Sequence, residues 1–220
     1  PPVAVRRHPL REMLDGLQFT WRERFLLGTI TLDLFAVILS GATALLPVFA
    51  RDILHRDLME NATMLGLLRA APAVGAAIVA LGLAWRPIER NVGVKMLWAV
   101  VAFGAATIAF GLSTNLFLSL AMLALLGAAD MFSVFVRGTL IQLNTPDHMR
   151  GRVSAVSGLA ISASNELGEM RAGSMAAAFG PITAIVFGGA AAIGVTALWA
   201  WIFPELRRAR TFEPQFKQAA

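Results

Sequence analysis

The chain has no cysteine among its 220 residues. That absence excludes disulfides and thiolate metal sites. Histidine is scarce as well: His8, His55 and His148 lie far apart in flanks and loops, with no second ligand at helical spacing. No metal and no other cofactor is expected. No GxxxxGK[ST] loop is present to cradle phosphates, and no serine sits in a GxSxG elbow, so an enzyme, an ATPase included, has nothing to rest on. Charge is sparse too. Asp, Glu, Lys and Arg make up 15% of the chain against 57% hydrophobic residues, and mean hydropathy is +0.66, far from an ordinary soluble domain. Basic patches interleaved with stacking aromatics are missing outside the apolar runs, so the net charge of +5 does not point to nucleic acid. Alternating segments of about ten residues, as a membrane barrel requires, are missing as well.

What is present is six long apolar runs, at 25–50, 62–85, 94–112, 116–143, 153–178 and 182–203. A hydrocarbon core of about 30 Å takes about 20 apolar residues of helix. The runs therefore predict an all-α polytopic membrane protein with one transmembrane domain over residues 25–203. Residues 1–24 form a linker ahead of it and 204–220 a tail behind it. Ser113–Asn115 and Gly180–Pro181 read as tight turns that force antiparallel hairpins. Within the linker, Leu10, Met13, Leu14, Leu17 and Trp21 recur at helical spacing opposite Arg11, Glu12, Asp15, Gln18 and Arg22, and Pro9 suits a first helical turn. A short amphipathic helix on the inner leaflet is expected there. Because the chain opens on Pro1, it is expected to be part of a longer polypeptide.

Lys and Arg set the expected orientation. Six spans bring both termini to one side, which then holds fourteen Lys and Arg, from Arg6 to Lys217, against Arg51 and Arg56 on the other. The positive-inside rule places both termini in the cytoplasm, in a cytoplasmic (inner) membrane. All five tryptophans fall near the same side, as interfacial anchors do.

Seven ionisable residues interrupt the apolar runs: Asp33, Arg69, Asp130, Arg137, Glu166, Glu169 and Arg171. A charge at mid-membrane costs about 2.5–3.5 kcal/mol on insertion scales and is kept where it faces protein or a wet cavity. Asp33 and Arg137 fall at matching depth, so an interhelical pair is expected, either fastening helices or broken and remade during transport. Asp130 lies two turns from Arg137, roughly 10 Å along the axis, spaced to bracket a cavity. Ser154, Gly158, Ser162, Asn165 and Glu169 form a small and polar stripe with Glu166 beside it. Asn165, Glu166 and Glu169 are therefore candidates for substrate contact or proton carriage, interhelical hydrogen bonding being the other reading. Arg69 shares a face with Gly66, Ala73, Ala76 and Ala80, and Pro72 is expected to kink that helix. Arg171 is expected to snorkel outward. Runs one, two, four and five are charged, whereas three and six are apolar beyond Lys95. This rhythm suggests two three-helix units whose third members face lipid. No residue-by-residue match accompanies it.

The stretch Pro146-Asp-His-Met-Arg-Gly-Arg-Val-Ser-Ala-Val156, followed by Asn165-Glu-Leu-Gly-Glu169, resembles the enterobactin-exporter-like branch of drug–proton antiporters. Six helices after a basic amphipathic linker resemble the C-terminal half of a major facilitator superfamily transporter. Over residues 10–210 the resemblance implies alternating access against a missing N-terminal six-helix half, with proton-driven export of a small hydrophobic or amphipathic molecule. It also makes Arg150, Gly151 and Arg152 a cytoplasmic loop motif. The superfamily's other loop signature is altered: Gly82 and Arg86 are kept, but Trp85 stands where the aspartate belongs. A six-helix permease subunit served by a separate ATPase, or a non-transporting membrane scaffold, are the alternatives. The first would need a docking helix in a cytoplasmic loop, and the second has little use for seven membrane charges.

Overall fold

A backbone crossing hydrocarbon has to satisfy its own polar groups, and among the described residues every regular element is a helix. The computed structural model describes residues 9–52 and 58–212. Helix α1 (Pro9–Arg22) precedes the first apolar run, which is α2 (Arg24–Ser40), a 3-10 turn (Ala42–Leu45) and α3 (Leu46–Asp52). Then come α4 (Leu58–Trp85), α5 (Val92–Gly111), α6 (Leu116–Leu143), α7 (Asp147–Phe179), α8 (Pro181–Ile202) and the short α9 (Pro204–Arg208). Arg6, Arg7, Arg56, Asp57 and the segment beyond residue 212 lie outside the described residues.

Five helical segments are long and apolar enough to cross a membrane: Arg24–Asp52, Ala62–Trp85, Val92–Gly111, Leu116–Leu143 and Pro181–Ile202. The fifth expected span, α7, is the one missing from these; it has 33 residues but carries Asp147, Arg150, Arg152, Glu166, Glu169 and Arg171, which dilute its hydropathy. It nonetheless packs against both α2 and α8. Two sequence expectations need correction. The first span is not continuous: Gly41, at φ 53° and ψ 17°, takes the left-handed conformation that ends α2. The loop motif is not a loop, because α7 starts at Asp147 and includes Arg150–Arg152, with Asp147 and Arg150 paired at 2.8 Å. Helix α4 runs through Pro72 as a single element.

The turns follow from their residues. Asn115 caps α6, its Oδ1 accepting from Phe117 N at 2.9 Å and Leu118 N at 3.3 Å. Gly180, at φ 85°, turns the chain so that Pro181 can open α8. Inside the helices, Thr29, Thr107 and Thr196 donate their hydroxyls to the carbonyl four residues back, which keeps a polar group satisfied without a second helix.

Helices α4 and α6 pair on one side of the bundle, α2 and α7 on the other, and α5 and α8 run together behind them. Exchanging the unit α2–α5 with the unit α6–α8 maps these pairs onto one another. The close approaches obey the same exchange. A Cβ at Gly75 of α4 would overlap the Ala124 carbonyl of α6, and one at Gly127 the Pro72 carbonyl. Across the bundle, a Cβ at Gly168 of α7 would crowd the Val37 carbonyl of α2, and one at Gly41 the Gly168 carbonyl. Behind, Gly104 of α5 and Gly189 of α8 face each other's carbonyls, with Ile193 and Ile108 as reciprocal neighbours. The repeat thus extends beyond hydropathy to its glycines, where small residues let backbones meet in lipid.

Two apolar clusters fill the interior. One, toward the termini, joins Leu26, Met96, Leu140, Val153 and Leu206. The other, toward the far end, joins Phe49, Leu68, Phe110, Leu123 and Ile185. The expected tail is packed structure as far as residue 212. Leu206 and Ala209 are buried, and the Ala209 carbonyl accepts from Gly93 N at 3.0 Å, satisfying a donor at the start of α5 that no helical partner serves.

Candidate functional site

Between those two clusters lies the polar interior. Asp33 sits about 14 Å into α2 at 1.5 Å per residue, where an unpartnered carboxylate would be costly. The Arg137 guanidinium of α6 forms an ion pair with it. Both residues are nearly sealed, Asp33 9% and Arg137 6% exposed. Asp130, two turns away on α6, has no ion-pair partner among the described residues, and its exposed side chain lines the concave face.

Asp130 lines a cavity of about 320 Å³ with Asn165 and Glu169 of α7. Val37, Pro72, Ala73, Ala76, Leu126 and Phe103 supply apolar wall, and the broken stretch Ser40, Gly41, Ala42 and Thr43 closes one side. A second cavity of about 440 Å³ adjoins it, lined by Arg69, Glu169, Thr43, Ala44, Leu46, Pro47 and Pro72. Glu169 belongs to both. The structure thus unites Asp33 with Arg137, and Asp130 with Asn165, Glu169 and Arg69 around adjoining cavities. Glu166 lines neither and is exposed on the open face of α7. Arg150, Gly151 and Arg152 lie at the far end of α7, near α1. Helix α8 contributes nothing to the cavities, whereas α5 reaches the first through Phe103. At that residue the expectation of a purely lipid-facing third helix fails.

Arg171 does not snorkel. Its Nε donates to the Ile38 carbonyl at 2.9 Å and its Nη2 to the Ser40 carbonyl at 3.0 Å, and the guanidinium lies 5.7 Å from the centre of the Phe187 ring. The last carbonyls of a helix have no partner of their own, and in hydrocarbon each one left bare costs several kcal/mol. The break in the first span is sustainable because Arg171 supplies those donors. Neither the wall at Ser40–Thr43 nor this role of Arg171 was read from the sequence. Gly41 and Pro47 within one apolar run were the available signal, since interrupted spans mark transporter sites. Arg171→Ala should strand two carbonyls at about 1–3 kcal/mol each, visible as a lower melting temperature in detergent. Arg171→Lys, which can reach one of them, should lose less.

The profile of the family described as transmembrane secretion effector matches residues 5–215. The chain belongs to that family. Transmembrane secretion effectors are a branch of the major facilitator superfamily, and the apolar helices agree with a multi-pass membrane protein. Its similarity extends to the enterobactin exporter EntS of Escherichia coli O157:H7 (strain EC4115 / EHEC), 27% identical over 215 residues, covering 98% of this chain and 50% of the relative. The same identity and coverage hold for EntS of Escherichia fergusonii. This transmembrane secretion effector sequence therefore spans about half the length of the curated relatives it matches. No solved structure matches it.

Proposed function

We propose that these six helices are one half of a secondary transporter that exports a small hydrophobic or amphipathic molecule by alternating access. The observation that carries this reading is the open-sided cavity at mid-depth, with Asp130, Asn165 and Glu169 facing a broken first span. A site of this kind is completed by a companion six-helix half that rocks against it. On this reading α7 also crosses the membrane, as the fifth of six spans, and both termini face the cytoplasm at the inner membrane. The exposed side of Ser154, Gly158, Ser162 and Glu166 meets the companion half. Protons are the coupling ion, carried by carboxylates that lack a fixed counter-ion. The relatives are named as enterobactin exporters, which makes a catecholate siderophore the first substrate to try.

The alternative of a permease served by a separate ATPase loses ground on loop length. Helices α6 and α7 are joined by residues 144–146 alone and α4 and α5 by residues 86–91, which leaves no room for a docking helix. The test is complementation. The full-length polypeptide carrying this chain, expressed in bacteria deleted for their own enterobactin exporter, should restore enterobactin to the medium, and a protonophore should abolish that release. If neither enterobactin nor a panel of amphipathic drugs is exported, and none dissipates the preformed acidic interior of everted vesicles on addition, the export reading fails.

A further inference from the structure

Helix α1 uses the side that its sequence pattern did not advertise to hold the bundle. A Cβ at Gly16 would press on the Arg152 carbonyl of α7. Asp15 Oδ2 lies 3.4 Å from Arg152 Nη1, and Thr20 is buried, with its hydroxyl donating to the Gly16 carbonyl at 2.9 Å. On the opposite side of the helix, Leu14 is 58% and Trp21 69% exposed, with Leu17 between them. This face is apolar and stands outside the bundle.

Three observations say what covers it. The same end of the bundle presents Trp85, Trp98 and Trp201 outward, and exposed tryptophans at span ends mark the level of the membrane interface. Arg22, Arg207, Arg208 and Arg210 are exposed at that end, beside Arg24 and Arg150 in ion pairs with Glu205 and Asp147, a basic rim suited to anionic headgroups. The helix also joins a narrow apolar face to a polar one at low overall hydrophobicity, the design of an in-plane interfacial helix rather than a buried one. We propose that α1 is a bilayer-anchored strut, with the Leu14, Leu17 and Trp21 face seated at the headgroup–acyl boundary of an anionic leaflet and the Gly16 face clamped on α7. Because α7 carries Asn165 and Glu169, the leaflet then bears mechanically on a helix of the transport site. The inference rests on the membrane-spanning fold and not on export.

The test uses the full-length polypeptide with any cysteine outside this cysteine-free chain replaced. Leu14→Cys, Leu17→Cys, Trp21→Cys and Gln18→Cys variants, each carrying a nitroxide, are placed in nanodiscs of phosphatidylcholine with or without phosphatidylglycerol. Collisions with oxygen and with a nickel chelate are then compared. Labels at Leu14, Leu17 and Trp21 should meet oxygen several-fold more than nickel, Gln18 should show the reverse, and the contrast should drop several-fold without phosphatidylglycerol. Nickel access at Leu17 equal to that at Gln18 would place the helix in water and overturn the proposal. Shielding of Leu17 from both reagents would mean that protein, a companion half or a second copy, covers the face, which overturns it equally. An unchanged contrast in the zwitterionic discs would overturn the anionic preference. Since no transport is measured, a wrong export assignment leaves these outcomes intact.

Discussion

Arg137→Leu is expected to be the most damaging single substitution in the membrane domain. It strands Asp33 in a sealed site, and removing one member of a buried pair costs about 3–5 kcal/mol because the other charge is left uncompensated. Removing both should cost far less, since an apolar pair of similar volume is often neutral or better. Asp33→Leu with Arg137→Leu should therefore recover most of the loss, and the double-mutant cycle should return a large coupling energy. Thermal unfolding in detergent measures this directly. The same double variant separates two roles: full stability with no transport would mean that the pair serves the cycle, and full stability with normal transport would make it a fastener. A single Arg137→Leu variant that melts with the native protein would show the pair to be energetically idle.

Glu169→Gln and Asp130→Asn should each abolish proton-coupled export while leaving insertion and yield intact. Both changes keep size and hydrogen-bonding capacity but remove ionisation. Arg137 is already committed to Asp33, so Asp130 has no fixed counter-ion. Arg69 shares a cavity with Glu169 without pairing to it. A carboxylate so placed depends on a proton, water or substrate for neutrality. Glu166→Gln should do less, since Glu166 borders neither cavity. Flux into everted vesicles, followed against imposed proton gradients, reads all three. Normal flux with unchanged pH dependence in both Glu169→Gln and Asp130→Asn would make the carboxylates structural.

Much of this molecule was legible in the residues because bilayers constrain sequences harshly. Helix positions followed from runs of apolar residues, and a partner for Asp33 followed from the cost of leaving it alone. What escaped has a common cause. The break at Gly41 depends on a guanidinium arriving from a helix about 130 residues later in sequence, and no local pattern announces a donor that distant. Arg171 looked like a snorkelling side chain because its depth was visible and its neighbours were not. The start of α7 was misjudged for the opposite reason: charge at Asp147–Arg152 masked good helix-forming residues. Glu166 and Glu169 could not be ranked until the walls around them were known, since residues three apart lie only about 60° from each other around a helix and share a face.

The backbone-to-backbone seam at Gly104 and Gly189 has a consequence for movement. Flexible side chains between two helices act as a cushion that absorbs small displacements, whereas peptide groups in direct contact offer almost no travel. With α5 and α8 locked in this way, and with comparable seams at Gly75 and Gly168 on either flank, the unit resists internal shear. A push delivered at one rim therefore reaches the other as tilt of the whole body, like a plank on a fulcrum, rather than dissipating as local rearrangement. A methyl group added at Gly104 would loosen that lever without touching any charge, slowing turnover while leaving the cavity chemistry as it was.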